Sequence, residues 1–277
     1  MPCFSRTFEH RSPPLSIRVE AIYIAPVKSL GLLPVERAWL TKRGIAEDRR
    51  FFLISDRDRL VTQREYGVLT QVQAGYTLEP ESLRVSFPDG RSVEAAPEDA
   101  GPITARFFGE RDVAGTLVEG PWAAALSEFA GVSLRVVRAM GNPFDALPVS
   151  LCSSASIEAL RSSSGEQAVN ERRFRPNFYV SGVAEAHGED AWVGKEISIG
   201  PAARVRVVLR DPRCEMITHD PATGERDIPA LLTMITSYRT DQPKETNFGV
   251  YGGVVAEGEV AVGDEVASPA ESPGNKR

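Results

Sequence analysis

The chain has 277 residues, 42% hydrophobic and 25% charged, an ordinary composition for one large or two smaller folded domains. Thirty-two basic against 38 acidic side chains leave a net charge of −6, which gives no support for broad nucleic-acid binding. Three cysteines (Cys3, Cys152, Cys214) and three histidines (His10, His187, His219), all widely spaced, exclude a disulfide framework, an all-cysteine zinc centre and a paired-histidine metal motif.

No run of 18 apolar residues occurs, so no membrane-spanning helix and no stable membrane insertion are expected. The first 16 residues lack an apolar secretory core, and the expected address is cytoplasmic. Residues 1–16 and 268–277 read as polar tails.

Residues 17–24 alternate as a first strand, ended by Pro26. Lys28 and Ser29 follow in a turn, where an ammonium, a hydroxyl and backbone N–H groups suit a phosphate. The plain reading of the same pair is a solvated hairpin lysine. Residues 33–41 read as a second strand. Gly44 breaks the chain, and Arg49 and Arg50 lead into the buried run Phe51-Phe52-Leu53-Ile54. Arg49 stands where a polar loop becomes core, facing a pocket. Strands are expected again near 77, over 82–87, 91–96, 103–108 and 112–118, with Pro88-Asp89-Gly90 as a turn.

Pro121 to Phe129 predicts a short helix ended by Gly131, and residues 132–138 another strand. Ser153 and Ser154 open a helix through Leu160; its N-terminus is either an anion site or simply capped. Pro176 biases Arg175 to an extended form, which would aim Arg175 and Asn177 to one side as a polar claw. The alternative is a solvated, arginine-rich entrance to a strand. Residues 192–199 read as a hairpin, and 203–209 as a strand running into Asp211-Pro212-Arg213-Cys214. Asp220 to Gly224 has the composition of a turn. Cys214 is either a small buried hydrophobe or, beside Arg213, a thiolate ligand. Residues 227–243 are helical or extended, and the glycine-rich stretch 247–253 carries no nucleotide-loop motif.

These pieces occur in an order that resembles MOSC-domain proteins with the β-barrel domain that precedes MOSC, the group of the mitochondrial amidoxime-reducing component and its bacterial relatives. The residues that carry the resemblance are Tyr23 to Ser29, Gly44 with Asp48 to Phe51, Pro148 with Ser153 to Ile157, Arg173 to Asn177, Arg213-Cys214 with Asp220 to Gly224, Phe248 to Tyr251, and Val262 to Asp264. The implied fold is mainly β: a MOSC-like β-barrel with a few short helices over 131–267, preceded by a smaller β-rich (α+β) N-terminal domain over 17–130.

The resemblance implies a molybdenum cofactor in its molybdopterin form, with Cys214 as the protein's ligand to molybdenum. It assigns contacts with the pterin or its phosphate to Lys28, Ser29, Arg49, Ser153 or Ser154, Arg175 and Asn177, with Arg213 as a neighbouring candidate. The implied activity is reduction of N-hydroxylated or other N- or S-oxygenated small molecules. With no cysteine cluster for an iron–sulfur centre, electrons are expected from a separate donor protein of ferredoxin, flavin or haem type. Two alternatives stand beside it: a non-catalytic cofactor or sulfur carrier, and a β-rich interaction module with an inert Cys214.

Overall fold

The computed structural model describes residues 16–242 and 244–267, so Cys3, His10 and almost all of the two expected tails lie outside the described residues. The largest sheet has eight strands. In spatial order they are Val266–Ala267, Glu196–Ile199, Ala203–Pro212, Asn247–Ala256, Val149–Ser153, Phe178–Ser181, Arg18–Ile24 and Leu33–Val35. All neighbours are antiparallel except Val149–Ser153 with Phe178–Ser181. That parallel pair requires a crossover, and the connecting stretch contains the helix Ser154–Ser164. A three-stranded sheet of Gly258–Ala261, Arg37–Thr41 and Gly44–Ile45 covers the same core. The fold is therefore mainly β, as expected.

A second unit holds a four-stranded sheet (Phe51–Ile54, Arg135–Ala139, Arg111–Glu119, Glu98–Phe107) and a three-stranded meander (Gln73–Leu78, Glu81–Ser86, Ser92–Ala95). The helix Trp122–Ala130 packs onto it, with Trp122 and Leu126 buried and Gly131 closing the end at φ +68. That is the left-handed position for which glycine carries no Cβ penalty.

The two cores do not follow the contiguous division at residue 130. Val19, Ile22, Ile24, Ala38, Leu40 and Ile45 belong to the C-terminal core, while Val136 and Val137 complete the N-terminal ones. The chain thus crosses between units four times: Val27 and Leu30 dip into the N-terminal core between Ile24 and Ala38, and further crossings fall between Ile45 and Phe51 and between Ala139 and Val149. Lys28, Ser29 and Arg49 lie on this seam: Lys28 N–H donates to the Phe51 carbonyl at 2.7 Å and Arg49 N–H to that of Ala25 at 2.9 Å.

Three local expectations need correcting. Residues 33–41 form two strands, because Glu36 separates the residues that pair with the first strand from those that pair with Gly258–Ala261. Residues 192–199 are not a hairpin: a 3-10 turn, Gly188–Trp192, precedes a single strand that pairs with Ala203–Pro212. Arg175 is left-handed, not extended, as discussed below. No helix among the described residues is long and apolar enough to cross a membrane.

Candidate functional site

Cys214 ends up exposed, directly after the long strand Ala203–Pro212 and at the start of a 3-10 turn, Glu215–Thr218. A buried small hydrophobe is thereby ruled out. It opens into a cleft of about 620 Å³ at the seam, walled by both units. Seven of its lining residues are arginines: Arg49, Arg59, Arg64, Arg106, Arg173, Arg175 and Arg213. A smaller recess of about 70 Å³ adjoins it and holds Lys28, Ser29, Arg49, Arg175 and Cys214 together. Five of the sequence-predicted residues therefore converge, although Lys28 and Cys214 are far apart in the chain.

The backbone is strained at this point. Ser29 (φ +78), Arg49 (φ +49), Phe108 (φ +53) and Arg175 (φ +49) are all left-handed, and all four line the recess. Non-glycine residues in that conformation persist only where their surroundings over-determine them, and they concentrate at functional sites. Arg175 adopts it because it closes the 3-10 turn Glu171–Phe174, its N–H bonding the Arg172 carbonyl at 3.1 Å. Its guanidinium then reaches the Leu30 carbonyl at 2.8 Å. Burial, and then the nearby Arg49 cation, bring its pKa down to about 10.

The left-handed turn also separates Arg175 from Asn177. Asn177 is 2% exposed and lies inside the fold. Its amide donates to the Tyr23 carbonyl at 3.2 Å and to Asp48 at 3.0 Å, and its oxygen accepts from Ser150 N–H at 3.1 Å. Asp48 in turn pairs with the Arg49 guanidinium and accepts from Ala25 N–H at 2.7 Å. Asn177 thus positions Arg49 through Asp48 and does not line the cleft. Burial works against the Arg49 charge, yet Asp48 holds its pKa above the usual value.

Ser153 and Ser154 are not at the cleft either. Ser153 is fully buried and caps the helix Ser154–Ser164, accepting from Ser156 N–H at 3.2 Å. The acceptor at this helix start belongs to the protein: the Glu189 carboxyl, also fully buried and with its pKa raised by that burial, accepts from the hydroxyls of Ser153 and Ser156, each at 2.7 Å. Arg213 lines the cleft but its side chain braces the wall, donating to the carbonyls of Phe248 at 2.7 Å and Phe174 at 2.6 Å. It also pairs with Asp211 at 2.7 Å. The Ser29 hydroxyl points inward to the Val61 carbonyl at 2.9 Å.

Sequence reading missed three wall residues. Asp211 is 1% exposed, and burial raises its pKa to about 7 against the pull of Arg213. Tyr251 faces it from the neighbouring strand. Asp145 lies over Lys28 at 2.5 Å. Tyr251 stands inside a motif that carried the resemblance and Asp211 two residues before another, which was a usable signal; nothing local marks Asp145.

The Cys214 loop is pinned on its far side. Arg173, 2% exposed, holds Asp227 through two bonds of 2.8 and 2.5 Å and lies 3.7 Å from Asp220. Asp220 accepts from Ala222 and Thr223 N–H at 2.8 Å each, forming the expected turn. Gln71 and Thr70 of the N-terminal unit bond the Thr223 and Pro221 carbonyls at 2.8 and 3.3 Å.

A cationic cleft with one exposed thiol, and no group of three or more histidine, cysteine or acidic side chains able to hold a metal among the described residues, fits a metal that arrives with most of its ligands. A family model described as MOSC domain matches residues 137–267, and one described as MOSC N-terminal beta barrel domain matches residues 16–118. The chain is a MOSC-domain protein.

Cys214 lies within the MOSC match and Lys28, Ser29 and Arg49 within the barrel match, so the cleft is built by both. Mitochondrial amidoxime-reducing component 1 of Mus musculus is 28% identical over 90% of this chain and 81% of its own length. Mitochondrial amidoxime reducing component 2 of Bos taurus is 29% identical over 90% and 82%. Molybdenum cofactor sulfurase of Caenorhabditis briggsae is 27% identical over 90% of this chain but 36% of its own length.

Proposed function

We propose that this MOSC protein is a molybdenum-cofactor-dependent reductase of N-hydroxylated or other N- or S-oxygenated small molecules, supplied with electrons by a separate protein. The observation that carries the reading is the exposed Cys214 thiol at the edge of an arginine-lined cleft of about 620 Å³. The amidoxime-reducing names of relatives that match nine-tenths of the chain support it.

The residues fit the group. Cys214 would be the protein's sulfur ligand, a soft donor suited to such a metal. Lys28, Arg49 and Arg175 would receive the phosphate by charge-assisted bonds. When bound, the cofactor supplies two-electron oxygen-atom transfer, while the protein governs access, orientation and charge. Arg213, engaged by two carbonyls, fixes the wall behind Cys214. Asp211, with a pKa of about 7, can hold a proton on its carboxyl at neutral pH inside the cleft. Phe108 and Arg64, stacked 4.9 Å apart at the mouth, would shape what enters.

The exposure of Cys214 also favours a second reading, a carrier that delivers the cofactor or its sulfur, and the sulfurase-named relative is consistent with that. One experiment separates the two. The protein and Cys214→Ser are made in a molybdopterin-producing host, and molybdenum, pterin and reduction of an aryl amidoxime by a reduced viologen dye are measured. The reductase retains metal through gel filtration and turns over, and Cys214→Ser keeps its fold but loses turnover. A carrier releases the metal and shows none. Unchanged turnover in a metal-bearing Cys214→Ser would sink the assignment.

A further inference from the structure

Lys28 lies at the floor of the small recess and is 6% exposed. Its ammonium is 2.5 Å from a carboxylate oxygen of Asp145, whose side chain is 62% exposed. Asp145 lines both the cleft and the recess, whereas Lys28 lines only the recess. The carboxylate therefore stands between the open cleft and the buried cation. Lys28, then Arg49 and Arg64, draw the Asp145 pKa down to about 2, so it is an anion at neutral pH. Burial lowers the Lys28 pKa, and Asp145 is the main group opposing that. Without a partner anion Lys28 would be a buried uncompensated charge, which is costly.

Asp145 rides on the connection between the two units. Before it, Arg111 fixes the chain by donating to the carbonyls of Asn142, at 2.8 Å, and Phe144. Phe144 is 8% exposed and packs under the Arg49 guanidinium, 5.9 Å from the ring centroid. After it, Val149 enters the eight-stranded sheet. Between these anchors, residues 145–147 make no backbone–backbone hydrogen bond among the described residues. The Lys28 ion pair is the polar contact that holds this short link down.

We infer that Asp145 is a built-in competitor for the ligand: its carboxylate holds the place of a phosphoryl group above Lys28, and residues 145–148 swing outward when a phosphoryl group takes that place. The inference rests on the proposed reading of the recess as a phosphate cradle. It gives the site a selectivity by charge. A phosphate dianion replacing a carboxylate monoanion gains attraction from Lys28, Arg49 and Arg175. A small monoanion gains nothing by the exchange and still has to displace the link. The device keeps Lys28 paired before loading and closed to common small anions.

The test uses the full chain from a host unable to make the cofactor, with inorganic phosphate as the probe in titration calorimetry. Wild type, Asp145→Asn and Lys28→Met are compared. Asp145→Asn is expected to bind phosphate tighter by on the order of tenfold, since a binding-competent state no longer has to be selected. Lys28→Met is expected to lose binding. NMR order parameters at the backbone amides of residues 145–147 should fall on adding phosphate to wild type and be already low in Asp145→Asn. If Lys28→Met binds phosphate like wild type, the cradle itself is wrong and the inference falls with it. If Lys28→Met loses binding while Asp145→Asn binds no tighter than wild type, the cradle stands and the competitor role of Asp145 is overturned. Asp145→Ser serves in the same comparison should the Asn variant fold poorly.

Discussion

Gly67 and Gly224 join the two units behind the Cys214 loop, and a methyl group at either should loosen them. A Cβ on Gly224 would lie 3.1 Å from the Gly67 Cα and nearer still to the Gly67 carbonyl. A Cβ on Gly67 would lie 3.2 Å from the Gly224 carbonyl carbon and nearer still to its oxygen. Both neighbours are backbone and cannot rotate away. Gly224 is in addition left-handed, at φ +75, while Gly67 is not. Gly131, at φ +68, has open space where its Cβ would stand, so it isolates the conformational part. Gly131→Ala should then cost about 1 kcal/mol. Gly67→Ala carries overpacking alone, roughly 1–3 kcal/mol. Gly224→Ala carries both, roughly 2–5 kcal/mol. For a chain of this size a loss of about 3 kcal/mol lowers Tm by roughly 6–12 °C, which calorimetry on the cofactor-free protein resolves easily. Gly224→Ala no less stable than Gly131→Ala would show that the two backbones do not meet, and the pinning of the Cys214 loop by the N-terminal unit would go with it.

Two buried groups predict opposite pH responses. His187 has its pKa lowered to about 4 by burial and by Arg239, with Nδ1 buried and without a hydrogen-bond partner and Nε2 2.5 Å from the Tyr238 hydroxyl. The unfolded chain therefore binds the extra proton first, and this contribution is present above an ordinary histidine pKa of about 6.5 and lost as pH falls from there toward 4. Urea unfolding at pH 7 and pH 5 should show His187→Gln losing less stability on acidification than wild type, and an equal loss would refute it. Asp211, raised to about 7 by burial, acts the other way: the folded protein binds the extra proton, so stability falls as pH rises from about 4 through 7. Asp211→Asn should match wild type near pH 4 and exceed it increasingly up to pH 8; a variant weaker at both would show that the carboxylate is needed as a charge beside Arg213.

The sequence by itself determined what depends on near neighbours. The buried run Phe51–Ile54 was readable because four consecutive large apolar residues need cover on both faces, and a run this short between polar flanks is strand length rather than helix length. The serine start of the helix at Ser153 and the glycine stop at Gly131 were readable because capping is local chemistry. The turn Asp220 to Gly224 was readable for the same reason. The strand that leads toward Cys214 was readable from its alternation, and the resemblance pointed to Lys28, Arg49 and Arg175, which the fold gathers around one recess.

Approaches between distant segments, set by packing and charge, lie beyond any local pattern. Residues 18–24 and 37–45 complete the C-terminal core because their apolar faces pair there, while Val27 and Leu30 between them join the N-terminal one, which periodicity alone cannot direct. Ser153 turns away from the cleft because the buried Glu189 carboxyl, 36 positions on, accepts its hydroxyl at the helix start. Asn177 is lost to the cleft because Arg175 takes a left-handed conformation that its proline neighbour argued against, and the surrounding carbonyls and carboxylates over-determine both side chains. Asp145 meets Lys28 across 117 positions. No local pattern encodes that pair; it exists because a buried ammonium needs a counter-charge, and the crossing between the two units brings that carboxylate within reach.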